Sequence, residues 1–140
     1  MAIYFHVELE GFEIENESHV RRWIKNSILS ENYLHGDINF IFVTNPQILE
    51  INRTYLKHNY FTDVISFEYN EGNTISGDVF ISIDQVKENA KQYKTEFTEE
   101  LRRVMIHGVL HLTGYSDKTR LEKEIMRKKE DEKLSDYNEQ

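Results

Sequence analysis

His107 and His111 stand four positions apart, Gly114 follows three residues later, and a carboxylate comes at Asp117. On an α-helix, residues i and i+4 lie about 40° apart around the axis, so both imidazoles project from one face. Glycine tolerates the left-handed conformation that ends many helices, so a turn at Gly114 can bring Asp117 back over the pair. Two imidazoles and a carboxylate, with room left for water, are the donor set of a catalytic zinc-type site. Two histidines at this spacing also fall on ordinary helix surfaces. The glycine turn and the acid behind it give the pattern its force. Residue 108 is glycine. The zinc-protease pattern H-E-x-x-H keeps its general base there, so peptidase chemistry lacks its key residue.

The segment carrying the pair is largely apolar, through Leu101, Val104, Met105, Ile106, Val109, Leu110 and Leu112. It therefore reads as a central, buried helix with the metal site at its end. Thr98 is placed to cap it, and Glu99 and Glu100 in its first turn suit the helix dipole. Arg103 lies one turn before His107 on the same stripe. After Asp117, residues 118–134 read as a charged helix anchored by Leu121, Ile125 and Met126, with the last few residues frayed.

The elements upstream must position this helix. Residues 2–10 alternate, with Ile3, Phe5, Val7 and Leu9 on one side, which predicts a half-buried strand. Asn16 or Ser18 can cap a helix to about residue 29, with Val20, Trp23, Ile24 and Ile28 as its apolar stripe. Arg21, Arg22 and Lys25 stand elsewhere on it, as a solvated face or a phosphate contact. Residues 37–44 are apolar on both faces and predict an interior strand. Asn45 and Pro46 start a helix as cap and first helical residue. Residues 62–67 and 77–83 read as a hairpin turning at residues 70–73. Thr62, Asp63 and Ser66 within it are either a turn cap with outward-facing residues or a substrate ledge beside the metal. Asp84 caps a helix to about Tyr93. The order β-α-β-α-β-β-α-α-α predicts an α+β fold: a small four-stranded mixed sheet packed with about five helices, one domain over residues 1–140.

Composition bounds the function. A chain of 140 residues suits one domain with a real core. No apolar run approaches the roughly 18 residues of a membrane span, and the N-terminal residues lack the charged and cleavage regions of a signal peptide. The sequence contains no cysteine. That excludes disulfides and thiolate ligands and suits a cytoplasmic setting. A net charge of −8 argues against nonspecific coating of nucleic acid, while leaving room for a local basic groove.

The run His107-Gly108-x-Leu110-His111-Leu112-x-Gly114-Tyr115 resembles the signature H-G-x-L-H-L-x-G-Y-D-H of the YbeY family, bacterial metal-dependent endoribonucleases of ribosomal RNA maturation. Ile51-Asn52-x-x-Tyr55 is similar to that family's L-N-x-x-Y-R block. Thr62-Asp63-Val64-Ile65-Ser66-Phe67 is similar to its T-D-V-L-S-F block, and Gly77-Asp78-Val79 to its G-D-I block. Met126 and Glu130 also fall where the family tends to place them, so the resemblance covers essentially the whole chain. Four positions depart from it. Asp117 stands where the family has its third histidine ligand, and Ser116 where it has the preceding aspartate. Leu56, with Lys57 beside it, replaces an arginine, and Phe61 replaces a proline.

The resemblance implies cleavage of single-stranded RNA, specifically ribosomal RNA, with the ribosome or ribosomal proteins as partners and no membrane. It implies one divalent ion, zinc before others, held by His107, His111 and Asp117. Counted with a one-residue gap, Asp117 would leave that ligand slot empty, and it could instead cap the helix that follows. Arg103, Lys57 and Lys118 are the nearest cations for gripping phosphate, with Ser66 on the substrate ledge. Two rival readings stand beside this one: a ribosome assembly factor that uses the metal only for stability, and a different metal-dependent hydrolase. The sequence leaves the oligomeric state open.

Overall fold

The computed structural model describes residues 2–58 and 62–139. The Phe61 departure lies outside them. Nine elements follow in chain order: β1 (Ile3–Val7), α1 (Glu17–Ser30), β2 (Leu34–Val43), α2 (Asn45–Leu56), β3 (Val64–Glu68), β4 (Thr74–Ser82), α3 (Ile83–Tyr93), α4 (Phe97–Leu112) and α5 (Arg120–Glu139). The strands form one sheet in the order β1-β2-β4-β3. β1, β2 and β4 run parallel, and β3 returns antiparallel to β4. This is the mixed four-stranded sheet with five helices that the sequence predicts.

Strand register explains the two faces. Phe40 on β2 pairs with Phe5 on β1 and Val79 on β4, and Val79 pairs with Ser66 on β3. Partners directly opposite share a face. That face carries Ile38, Phe40, Phe42, Val79 and Ile81, all fully buried. Trp23, Ile24 and Ile28 of α1 and the apolar stripe of α4 complete the same core. The opposite face is smaller, with Ile48 of α2 against Val43 and Ile65.

Several boundaries differ from expectation, each for a local reason. β1 stops at Val7, which is exposed. Thr44, not Asn45, caps α2: its extended backbone lets it close a capping box with Gln47. Asn45 instead accepts the hydroxyl of Ser82. Ser82, not Asp84, caps α3, and Asp84 takes the Asn45 N–H. Asn16 occupies the cap position of α1 in a left-handed conformation, without a side-chain cap bond. Glu96, not Thr98, precedes α4. α5 is longer than expected and its anchors lie further on. Leu121 and Ile125 are exposed, whereas Met126, Leu134 and Tyr137 are buried. Tyr137 stacks on His19 and meets Trp23 edge-on, so the segment expected to fray is docked. No helix among the described residues is long and apolar enough to cross a membrane.

Candidate metal centre

α4 approaches the sheet closely because residue 108 has no side chain. A Cβ there would lie 2.6 Å from Val79 Cγ1 and 3.2 Å from Ser66 Oγ. Ser66 Oγ donates to the Gly108 carbonyl at 3.0 Å and fastens the helix to β3. The position that holds a catalytic glutamate in zinc proteases is here a packing position.

The helix ends in a tight turn. Gly114 sits at φ 104°, which favours glycine. The Gly114 N–H donates to the His111 carbonyl and the Tyr115 N–H to the Leu110 carbonyl, both at 3.1 Å. The reversal brings Asp117 over the two histidines. Asp117 Oδ2 lies 3.1 Å from His107 Nε2 and 3.4 Å from His111 Nε2. The two Nε2 atoms are 3.0 Å apart. α5 has its own cap: Glu122 N–H donates to Thr119 Oγ1 at 3.1 Å, and Thr119 N–H to Glu122 Oε1 at 2.9 Å. Asp117 is therefore not needed as a helix cap.

The outward nitrogens fix the inward ones. His107 Nδ1 is 2.6 Å from Glu130 Oε2, and His111 Nδ1 is 3.0 Å from the Tyr115 carbonyl. A carboxylate and a carbonyl accept, so each ring presents a proton on Nδ1, and in the neutral ring it is the Nε2 lone pair that faces inward. Two Nε2 atoms and a carboxylate oxygen facing one another suit a shared proton or a metal ion between them. His107, His111 and Asp117 offer three ligand atoms within 4.8 Å of one another and could hold a metal ion. The donor set therefore fits the divalent ion that the sequence implies. Burial alone would depress the His107 pKa, but the hydrogen bond and charge of Glu130, with Asp117, raise it above its ordinary value. Burial, then the neighbouring His107, lower that of His111.

The other predicted residues scatter around this centre. Arg103 lines the cavity on the His107 side, where its guanidinium is engaged by Glu130 Oε1 at 2.8 Å and Asp131 Oδ1 at 2.7 Å. Ser66 and Lys118 line a cavity of about 520 Å³ that also includes His111, Leu56, His58 and Thr62. Lys57 ends α2 in a left-handed conformation and lies outside that lining. On the His107 side, a second cavity of about 400 Å³ includes Asp63, Asn89, Lys123, Arg127 and Glu130. Asp63 there accepts from Asn89 at 3.0 Å. Sequence reasoning placed no role on Glu130. A buried carboxylate in a Lys- and Glu-rich helix looks like its solvated neighbours.

The endoribonuclease YbeY family model matches residues 6–138. The Flavobacterium psychrophilum endoribonuclease YbeY is 52% identical over 132 residues, covering 94% of each chain. That of Christiangramia forsetii is 49% identical over 89% of this chain and 87% of its own. That of Bacteroides thetaiotaomicron is 42% identical over 96% and 98%. The solution structure of a Thermotoga maritima protein superposes with a TM-score of 0.64 over 99% of this chain and 93% of that one, at 24% identity, and shares the fold. By the family model and by these relatives, the chain belongs to the endoribonuclease YbeY family.

Proposed function

We propose that this chain is a metal-dependent endoribonuclease that cuts single-stranded RNA in ribosomal RNA maturation. Residues 1–140 act as one domain, in the cytoplasm, alongside the ribosome and its proteins. One observation carries the reading: His107 Nε2, His111 Nε2 and Asp117 Oδ2 converge between two cavities in a member of this family.

His107, His111 and Asp117 would hold one divalent ion, zinc before others. When bound, the ion supplies Lewis-acid polarisation of a phosphoryl oxygen and acidifies water toward neutrality. The chain's own residues do the rest. Glu130 and the Tyr115 carbonyl keep both imidazoles turned inward. Lys118 brings positive charge to the His111 side and Ser66 shapes its floor, while Lys123 and Arg127 do the same on the His107 side. Lys57 adjoins in sequence Leu56, which stands at the arginine position of the family, and is a further candidate for phosphate. The centre is recessed, with the two histidine side chains only 22% and 29% exposed. A single strand bends to deliver a phosphodiester into such a recess, whereas a stiff A-form duplex presents its backbone from outside. The aspartate adds negative charge to the ligand set, and its hard oxygen tilts metal preference modestly toward manganese- or iron-like ions.

The test is cleavage of matched single-stranded and duplex RNAs by the purified protein with zinc or manganese. Cutting of the single strand alone, abolished by chelator and restored by metal, is the expected result. Fully metal-loaded protein that leaves RNA intact would instead mark a non-catalytic assembly factor.

A further inference from the structure

Glu130 is 5% exposed, although its neighbour Glu132 has a half-exposed side chain. Burying a carboxylate is costly unless it is paired and hydrogen-bonded. Glu130 divides its two oxygens: Oε1 takes Arg103 at 2.8 Å, and Oε2 takes His107 Nδ1 at 2.6 Å. The other arm of Arg103 is held by Asp131. The carboxylate therefore cannot swing to solvent without breaking the Arg103 fork. A salt bridge that merely docked α5 on α4 would need the first oxygen only. The second oxygen is spent on the outward nitrogen of a metal-facing imidazole.

We infer that Glu130 is a positioning residue for the metal centre, fixing the His107 ring with Nε2 toward Asp117 and coupling the docking of α5 to metal occupancy. The inference rests on the metal-centre reading above. Among the described residues, no other side chain bonds an outward nitrogen of either histidine, because His111 uses a backbone carbonyl. Glu130 is thus the one such contact that evolution or mutagenesis can adjust. A cation on Nε2 polarises the Nδ1–H bond and strengthens its hydrogen bond to Glu130. By linkage, anything that holds α5 in place then favours the metal, and the metal holds α5. α5 also contributes Lys123, Met126 and Arg127 to the cavity beside His107. Metal loading therefore firms one wall of the RNA-binding recess.

The experiment reads metal affinity and ring state, not RNA cleavage. Zinc affinity is measured by competition with a chromophoric chelator for the parent, Glu130→Gln and Asp131→Asn. Glu130→Gln should bind roughly tenfold to a hundredfold more weakly, the range for losing a partner of a metal-bound histidine. Asp131→Asn, which weakens only the outer arm of Arg103 and leaves the Glu130–His107 bond in place, should lower affinity far less than Glu130→Gln. Equal affinity in Glu130→Gln and parent overturns the inference while leaving the metal centre standing. A parent without stoichiometric zinc overturns the metal centre itself, and the inference with it. Should Glu130→Gln not fold, long-range ¹H–¹⁵N spectra of the zinc-loaded parent decide alone. They should place the His107 proton on Nδ1 and the metal on Nε2, and the reverse assignment overturns the inference.

Discussion

Tyr115 Oη donates a 2.5 Å hydrogen bond to Glu31 across 84 residues of sequence. It ties the turn that ends α4 to the end of α1. The carbonyl of the same tyrosine receives His111 Nδ1, so this contact reaches the candidate metal centre through one residue. Glu31 Oε2 also takes Lys133 at 2.8 Å and Lys129 at 3.1 Å, both from α5. The Lys133 side chain is fully buried and has Ser30 Oγ as a further partner. Two helices and the site's turn thus meet on one carboxylate.

This carboxylate predicts an acid-sensitive fold. Burial alone would raise the Glu31 pKa, but the hydrogen bonds from Lys133, Tyr115 and Lys129 outweigh it and hold it down to about 2, against an ordinary 4.5. A depressed carboxylate contributes its stability above its unfolded pKa and loses it as pH falls through the folded one. The contribution is thus complete at neutral pH and disappears between about 4.5 and about 2. Glu31→Gln should cost on the order of 3 kcal/mol at neutral pH in urea denaturation, from the size of that shift. The difference from the parent should narrow as the pH is lowered through this window. A gap that stays constant on acidification would show that the carboxylate charge is not what holds the junction.

Gly108→Ala tests the close approach of α4 to the sheet. The new Cβ would lie 2.6 Å from Val79 Cγ1 and 3.2 Å from Val64 Cγ2. Overpacking of this kind costs about 1–3 kcal/mol, only partly offset by the better helix propensity of alanine. The helix should lift from β3 and β4, lengthening the Ser66 bond to the Gly108 carbonyl and displacing both histidines. In a Val79→Ala background the same substitution should cost less, because the clashing methyl is gone. A double-mutant cycle in which the two costs simply add would remove the steric explanation.

What was legible in the sequence is what is local in the fold. His107, His111, Gly114 and Asp117 fall within eleven residues, and helix geometry alone puts the first two on one face. Alternation places β1, an apolar run places β2, and the turn at residues 70–73 pairs β3 with β4. The partners that come from afar were not legible. Glu130 meets His107 from 23 residues away, on a helix whose composition gives no sign of a buried carboxylate. Arg103 reads as a phosphate ligand because its charge is near the site, but Glu130 and Asp131 claim it in three dimensions. Apolar residues are sparse along α5, so more than one stripe is possible, and packing against Trp23 selects Leu134 and Tyr137 over Leu121 and Ile125. Caps shifted by a residue or two because Thr44 and Ser82, also good capping residues, lie close to the expected ones and accept the N–H groups of Gln47 and Gln85.

The replacement of the family's arginine by Leu56 predicts a measurable electrostatic deficit. Leu56 and Lys118 line the same cavity beside His111. If Lys118 contacts a phosphate, Lys118→Met should weaken binding of single-stranded RNA and reduce the salt dependence of log K by about 0.7, the value for one contact on a single strand. Leu56→Arg should do the reverse, tightening binding and steepening the salt dependence by a similar amount. Fluorescence anisotropy with a cleavage-resistant RNA across a salt series checks both. An unchanged slope in Lys118→Met would remove that lysine from the phosphate path.

Asp117 carries the sharpest test of the ligand set. Thr119 and Glu122 already cap α5, and Asp117 Oδ2 faces both imidazoles. His107→Ala should abolish stoichiometric divalent metal in elemental analysis while the fold survives. Asp117→Ala should weaken metal binding at least about tenfold, the lower bound for losing even a partner of a ligand. Asp117→His should keep or tighten it, because imidazole binds zinc at nearly the same distance as a carboxylate. Because Thr119 and Glu122 keep the α5 cap, Asp117→Ala should shift metal-free stability by no more than about 1 kcal/mol, the range for losing a half-exposed ion pair. The opposite pattern, parental metal affinity with a clear loss of stability, would make Asp117 a structural residue and leave the centre with two protein ligands.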